Sequence, residues 1–477
     1  MLRQFLWGKL VLGLVAIVAV LQVVHLILLS RLEARHRKHA GGSGGVPSAS
    51  DADEEYPTYH GAASVTPGGI SSFSGGPEFA VSPYQETSAA DSRVWVDSEL
   101  PILARALVTG RVLDASGEFQ VVPRLAKAES YPQASTGTPA HDISIATHCS
   151  VEHLHRLLPF VERWQGPMSV AVFAGEPELG TALNSIASLR ACSPPIRRLA
   201  SFHLVSPLLP GGRAPLASLG TTAPSRCGSL LEQLREFGRD KTKKNYARRT
   251  GIGGVQSPPY PNNLLRNVAR CGVITEFVLT VDIDLLPSRN LRVDFNHFAM
   301  ENHLFDESQK DDKTVYVLPA FEASEGAPTP GDKAELLALS DTFRLRPFYF
   351  ELCWKCQVHT DYETWQKEPP SSGLAPLFEV LWKDPWEPFY ISRNTAPYYD
   401  ERFKQYGFNR ISQVCELHIA GYKFSVLNNA FLVHQGLKTP DSFHPEKDAE
   451  QERNLFLFRQ FKLELREKYP ESSRRCY

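Results

Sequence analysis

Apolar residues run nearly unbroken from Leu10 to Ser30, thin out as far as about residue 92, and then return as short blocks with two different spacings. The first run is interrupted only by Gly13, Gln22 and His25. At a rise of about 1.5 Å per residue, about 20 residues span the roughly 30 Å hydrocarbon core of a bilayer. A cleaved signal peptide has a shorter apolar region, and Leu28-Leu29-Ser30-Arg31 offers no small-residue cleavage site. Residues 1–9 are expected as a short tail, 10–30 as a membrane signal-anchor and 31–95 as a flexible stem. The stem carries Gly41-Gly42-Ser43-Gly44-Gly45 and repeated Gly, Ser and Pro, too little apolar surface to offset the entropy of ordering.

Beyond it the blocks alternate. Asp142 to Thr147 reads as a strand and Val151 to Trp164 as a helix. Met168 to Ala174 is a second strand, Pro177 to Leu189 a second helix, and Ala200 to Val205 a third strand. Such alternation predicts βαβ units and a mostly parallel central sheet in an α/β domain spanning 96–477. Pro207 to Ser257 is irregular, with a basic run from Lys241 to Arg249 read as a solvated loop. Asn262, a candidate N-cap, starts a helix with Leu264, Leu265 and Val268 on its apolar face. That helix delivers the chain into the strand Phe277 to Val281. Thr314 to Phe321 is a further strand, and Asp332 opens a short helix. Asp448 to Lys468 reads as an amphipathic docking helix, with Leu455, Phe458, Phe461 and Leu465 on one face.

Composition narrows the function classes. The formal net charge of −2 gives no electrostatic case for nucleic acid. All 8 cysteines lie beyond residue 140, an even count that suits disulfides in an exported domain. Cys353-Trp354-Lys355-Cys356 is a single CxxC without a partner pair, which favours disulfide bonding over zinc. The cysteines therefore argue for a lumenal domain on a type II anchor. The charges flanking the anchor point the other way, since Arg31, Arg35, Arg37 and Lys38 follow it.

The chemistry concentrates at Asp282-Ile283-Asp284. Two carboxylates one residue apart at a strand's exit can turn toward one hard divalent cation, which accepts phosphate oxygens in the same shell. Asp51-Ala52-Asp53 matches the same pattern but lies in the stem, where nothing fixes its geometry. Ligands of open α/β sheets bind outside the carboxyl ends of the strands, where Asp282 and Asp284 are expected. A haloacid-dehalogenase-type phosphatase also uses a strand ending in Asp-x-Asp. It wants Thr or Val two residues after the second Asp, where Leu286 stands.

The helix containing Arg266 and Asn267, followed by a strand ending Asp-x-Asp, resembles the donor site of GT-A glycosyltransferases. Tyr260 to Asn267, Val317 to Glu322, Asp384 to Tyr390, Gly407-Phe408-Asn409-Arg410 and Phe431 to His434 occur in that order and resemble the glycosyltransferase 49 family. The C-terminal domain of LARGE-type enzymes is a more distant relative. The resemblance covers about residue 95 to the C-terminus, and residues 142–284 would form a nucleotide-binding half and 285–477 an acceptor-binding half.

The resemblance implies a Golgi type II enzyme moving glucuronate from UDP-glucuronate to a xylose-terminated O-mannosyl glycan. The implied product is a β-1,4 linkage that primes matriglycan on an α-dystroglycan-type glycoprotein, with other Golgi glycosyltransferases of the pathway as partners. The alternatives are a β-1,3-N-acetylglucosaminyltransferase of poly-N-acetyllactosamine type and a non-catalytic lumenal glycan-binding protein. By similarity Asp282, Asp284 and His434 would hold Mn²⁺ or Mg²⁺. Thr147, Asn262, Arg266 and Asn409 would line the nucleotide-sugar site, and Arg410 or Arg393 would pair with the glucuronate carboxylate. Inversion needs a carboxylate base. The acidic residue that many GT-A enzymes carry after a Gly-aromatic-Gly turn is replaced here by Asn409-Arg410, which leaves Glu387, with Asp384 and Glu416 behind it. Trp386 and Phe389 beside Glu387 could stack on sugar faces or pack in the core.

Overall fold

A computed structural model describes residues 89–130, 139–208, 227–230, 232–238, 259–439 and 446–476. The expected anchor at 10–30, nearly all of the stem and the basic run from Lys241 to Arg249 lie outside the described residues. Among the described residues no helix is long and apolar enough to cross a membrane. The first described element is the helix Ala89–Thr109, which runs through residue 95, where the stem was expected to end.

Fourteen strands follow in the described residues: β1 (Val112–Leu113), β2 (Phe119–Ala126), β3 (Ala140–Ser150), β4 (Met168–Phe173), β5 (Ala200–Pro207), β6 (Thr275–Thr280) and β7 (Leu285–Pro287), then β8 (Thr314–Leu318), β9 (Ala320–Ala323), β10 (Leu345–Pro347), β11 (Ala375–Val380), β12 (Phe389–Arg393), β13 (Lys423–Asn428) and β14 (Leu432–Gln435). Ten form one sheet in the order β1-β2-β5-β4-β3-β6-β12-β8-β13-β11, and β10-β9-β14-β7 form a second. The strands β5, β4, β3 and β6 are parallel, as the βαβ pattern predicts. The rest departs from the expectation of a mostly parallel sheet. β12 lies antiparallel between β6 and β8, and β2 and β11 are antiparallel to their neighbours. The reason is physical: Phe389 to Arg393 is buried along its whole length, and a fully buried strand reads as the same apolar run in either direction.

Alternation along β3 sorts the two faces of the sheet. Ile143, Ile145 and Cys149 join Val170, Leu204 and the helices Leu157–Trp164 and Leu179–Cys192 in one core. Ala146 faces the other way, with Ala171, Val205 and Val278, onto Leu264, Leu265 and Val268 of the helix Asn262–Cys271. That helix can lie close because it ends on Gly272. A Cβ there would stand 2.3 Å from His203 Nε2 and 2.4 Å from Ser169 Oγ. His203 ties three strands together: its Nδ1 accepts the Arg124 N–H at 3.0 Å and its Nε2 lies 2.9 Å from Ser169 Oγ.

A third core belongs to the C-terminal half. Phe458, Phe461 and Leu465 of the helix Lys447–Lys468 pack with Phe403 and with Ile411 and Val414 of the helix Asn409–Ile419. The docking role read from the sequence holds, but the buried stripe differs by one position. Leu455 is half-buried, and Asn454 is the residue turned inward. Its Nδ2 donates to the carbonyls of Lys404, Tyr406 and Gly407 at 2.8–2.9 Å, so one side chain holds the whole turn before Asn409. That turn has φ of +89° at Gly407 and +59° at Phe408, the first of which suits glycine. Three disulfides join Cys192 to Cys227, Cys353 to Cys356 and Cys415 to Cys476, while Cys149 and Cys271 are free thiols. CxxC is thus a local bridge.

Candidate active site

The carboxyl end of β6 releases the chain into Val281-Asp282-Ile283-Asp284, and two sheets converge there. In the second sheet His434 pairs in register with Leu285, which sets it beside the neighbouring Asp284. His434 Nε2 lies 3.0 Å from Asp284 Oδ2, and Lys438 Nζ lies 3.5 Å from the same oxygen. The other imidazole nitrogen, Nδ1, is 2.6 Å from the carbonyl of Gly436. A carbonyl only accepts, so Nδ1 carries the proton. In neutral His434 the Nε2 lone pair then faces a carboxylate oxygen, an arrangement that invites a cation between them. A backbone acceptor on the far nitrogen of a ligating histidine is also the usual way its tautomer is fixed.

Asp282 is differently furnished. Its Oδ1 lies 3.1 Å from Arg266 Nη2 and 3.2 Å from His148 Nε2, and its Oδ2 lies 3.6 Å from Arg410 Nη1. Desolvation works against ionisation of Asp282, but Arg266, the His148 contact and Arg410 outweigh it and hold the carboxyl well below the usual range. For Asp284 desolvation is likewise overcome when His434 is protonated on both nitrogens and donates through Nε2–H, with Lys438 adding to it, and the carboxyl is then depressed. Both carboxylates keep an open side, at 31% and 26% exposure. Among the described residues no group of three or more His, Cys, Asp or Glu converges as a finished metal centre. The donor set fits a hard cation that takes its remaining oxygens from a diphosphate or water, with Asp284 and His434 as the tighter pair.

Around this core the structure gathers most of the positions picked from the sequence. Arg266 is buried, donating to Asn263 Oδ1 at 2.9 Å and Asn409 Oδ1 at 3.0 Å besides its contact with Asp282. It clamps Asp282. Asn409 is taken up in the same way, its Nδ2 donating to the Gln405 carbonyl at 2.9 Å. Arg410 lies over the Phe389 ring at 4.3 Å and reaches Glu387 Oε1 at 3.4 Å. Its Nη1 is buried without a hydrogen-bond partner. Glu387 is 8% exposed, and desolvation raises its carboxyl above the ordinary value although Arg410 pulls the other way. A buried carboxylate with a raised pKa beside a guanidinium is a candidate for proton transfer.

Five positions fall elsewhere. Arg393 pairs with Phe277 at the opposite end of β6, where it is tied to Glu276 and the Leu304 carbonyl and stacks on Phe277 at 4.8 Å. It is a structural residue. Glu416 accepts from Lys468 Nζ at 2.7 Å and Tyr469 Oη at 2.9 Å, locking the C-terminal helix in place. Asp384 is half-buried with Lys462 of that helix as its charge neighbour. Thr147 is fully buried on the face of β3 opposite His148. Asn262 opens its helix as the first residue, one place after the capping position, so its side chain makes no cap hydrogen bond. The rings of Trp386 and Phe389 are buried, and Trp386 Nε1 donates to Thr360 Oγ1 at 2.9 Å, so they pack in the core.

Sequence reasoning passed over His148, Tyr260 and Lys438. Tyr260 Oη lies 2.9 Å from His148 Nδ1, and burial lowers the His148 pKa, which keeps the ring neutral. The hydroxyl can then donate to Nδ1 while Nε2–H faces Asp282. The signal was present, since His148 is one residue past the expected end of a strand whose carboxyl end faces the site.

Residues 142–470 match the family model described as glycosyl-transferase for dystroglycan. The chain is 42% identical over 390 residues to beta-1,4-glucuronyltransferase 1 of Homo sapiens, spanning 80% of this chain and 87% of that protein. The protein of the same name from Danio rerio is 42% identical over 389 residues, 78% and 85% of the two chains. Xylosyl- and glucuronyltransferase LARGE2 of Mus musculus is 28% identical over 295 residues, 62% of this chain and 34% of that one. Among solved structures, S. aureus TarS matches with a TM-score of 0.30 and 12% identity over 63% of this chain and 37% of that one, a likeness too slight to argue from.

Proposed function

The chain belongs to the family of glycosyl-transferases for dystroglycan, and from that membership we propose that it transfers glucuronate from UDP-glucuronate to a xylose-terminated O-mannosyl glycan. The reading comprises a GT-A-type domain, an inverting displacement that forms a β-1,4 bond, and an α-dystroglycan-type glycoprotein as acceptor. It also comprises a single-pass type II anchor that holds the domain in the Golgi lumen beside other enzymes of the pathway. Three disulfides suit that oxidising compartment.

The observation that carries the choice of donor is Arg410. Its buried Nη1 makes no hydrogen bond and has only the 3.6 Å ion pair with Asp282, so a glucuronate carboxylate can accept from it with a full charge where a neutral sugar offers only a hydroxyl. Asp284 and His434, with Asp282, would hold Mn²⁺ or Mg²⁺. Bound there, the cation would offset the charge of the departing diphosphate. Arg266 and His148 keep Asp282 ionised and oriented. Glu387 takes the proton from the acceptor hydroxyl as the new glycosidic bond forms on the face opposite the leaving UDP.

The test is a donor screen of the purified protein with Mn²⁺ and a β-xyloside acceptor. UDP-glucuronate should outpace UDP-N-acetylglucosamine and UDP-glucose by orders of magnitude, and Arg410→Gln should erode that preference more than it erodes UDP binding. Comparable turnover of UDP-N-acetylglucosamine would replace this reading by the N-acetylglucosaminyl one. Absence of UDP binding in the presence of Mn²⁺ would favour a glycan-binding protein.

A further inference from the structure

The segment between β10 and Thr360 carries an exposed aromatic pair that the reaction does not use. Phe350 and Trp354 are 48% and 40% exposed, and their rings meet edge to face at 5.4 Å. Isolated exposed aromatics need no explanation, but these two are held firmly and held close to the site. The Cys353–Cys356 bridge closes the loop on Trp354. Arg346 lies over the Phe350 ring at 5.7 Å while bonded to the fully buried Glu322 at 2.6 Å, which anchors the other side.

Both ends of the loop run directly into the chemistry. Two residues before Phe350, the Phe348 ring lies 5.8 Å from that of His434 and 6.0 Å from the Arg410 guanidinium. Two residues after Trp354, the Cys356 carbonyl accepts the backbone N–H of Glu387 at 2.9 Å. The candidate base and the aromatic pair therefore share one rigid frame.

We propose that Phe350 and Trp354 form the acceptor subsite, a platform on which a pyranose of the acceptor glycan lays its apolar face. This rests on the reading that the site passes a sugar to a glycan hydroxyl. A pyranose with equatorial hydroxyls presents C–H bonds on its faces and oxygens around its rim. It can thus cover an aromatic surface while a rim hydroxyl stays free to meet a carboxylate. Continuity with Glu387 selects the acceptor over the donor as the occupant, because the donor's place is at Asp282, Asp284 and Arg410. A disulfide-closed loop also loses little freedom on binding.

Two readouts test this on the purified protein. Trp354→Ala and Phe350→Ala should each raise KM for a β-xyloside about threefold to tenfold, with KM for UDP-glucuronate and the melting temperature unchanged. Independently of turnover, protein labelled with fluorotryptophan should show one resonance moving as the β-xyloside is added. It should be the resonance missing from Trp354→Phe. Unchanged acceptor KM in both alanine variants would overturn the subsite, as would a stationary Trp354 resonance up to the solubility limit of the xyloside. If the resonance moves but the wild-type protein transfers no glucuronate, the subsite stands and the proposed donor falls.

Discussion

At the scale of single residues, Asp282 and Asp284 are alike in sequence and unlike in surroundings. Asp284 has His434 and Lys438, whereas Asp282 faces Arg266, His148 and Arg410. Asp284→Asn should therefore weaken Mn²⁺ binding more than Asp282→Asn, measured by manganese paramagnetic resonance titration. Asp282→Asn should instead cost about 1–3 kcal/mol of stability, because it leaves buried guanidinium groups less well paired. Equal Mn²⁺ affinity in the two variants would contradict that division. Glu387→Gln should lower kcat about 10²–10⁴-fold with UDP affinity little changed. The raised Glu387 carboxyl also fixes a sign: the base is active when ionised, so kcat/KM should fall as pH falls through a value above that of an ordinary glutamate. A Glu387→Gln profile that keeps this acid limb would assign it to another group. Which arginine meets the site was not legible. Arg393 and Arg410 look equivalent in sequence, and only the antiparallel register of β12 sends Arg393 to the far end of β6.

At the scale of elements, the hydrophobic pattern served well wherever burial was one-sided or continuous. It found β3, β4, β5 and the helix Asn262–Cys271 within a few residues, because their apolar positions repeat with the period of the element. It failed on β12, whose direction no pattern encodes, and on β1 and β2, the first only two residues long and the second interrupted by Pro123 and Arg124. It also missed the inward turn of Asn454, since a polar residue on a buried face is recognised only once the carbonyls it serves are in place. Asn454→Ala removes three hydrogen bonds from the turn before Asn409 and should cost about 1–3 kcal/mol, seen in denaturant unfolding. The same change should speed hydrogen exchange in residues 404–410. Unaltered exchange there would mean that the turn holds its shape without the pin.

For the molecule as a whole, His203 sets an acid limit. Burial, aided by Arg124, lowers its pKa from 6.5 to about 4 in the folded state. The unfolded chain then binds more protons between those values, so this contribution is fully present above pH 6.5 and is lost as pH falls toward 4. The full effect is up to about 3 kcal/mol. The melting temperature of the wild-type protein should drop between pH 7 and pH 5 more than that of His203→Gln, and parallel drops would refute the assignment. The whole-chain reading from sequence agrees with the structure in its α/β class and central sheet and in setting Asp282 just past the carboxyl end of a strand. The closing of the site by a second sheet was not readable, because β7, β9, β10 and β14 are only 3–4 residues long.

The pin at Asn454 has a consequence for the order in which the protein can become active. Asp282 leaves the ribosome before Arg410, which is held by a turn that Asn454 secures, and His434 and Lys438 also follow it in the chain. A nascent chain halted after β13 would possess its parallel strands, both acidic residues, His148, Arg266 and Arg410, yet neither His434 and Lys438 nor the Asn454 that holds the turn before Arg410. A stop codon between β14 and Asn454 would act differently: His434 would be made, but the pin would be missing, so the large sheet could form while the turn before Arg410 went unsecured.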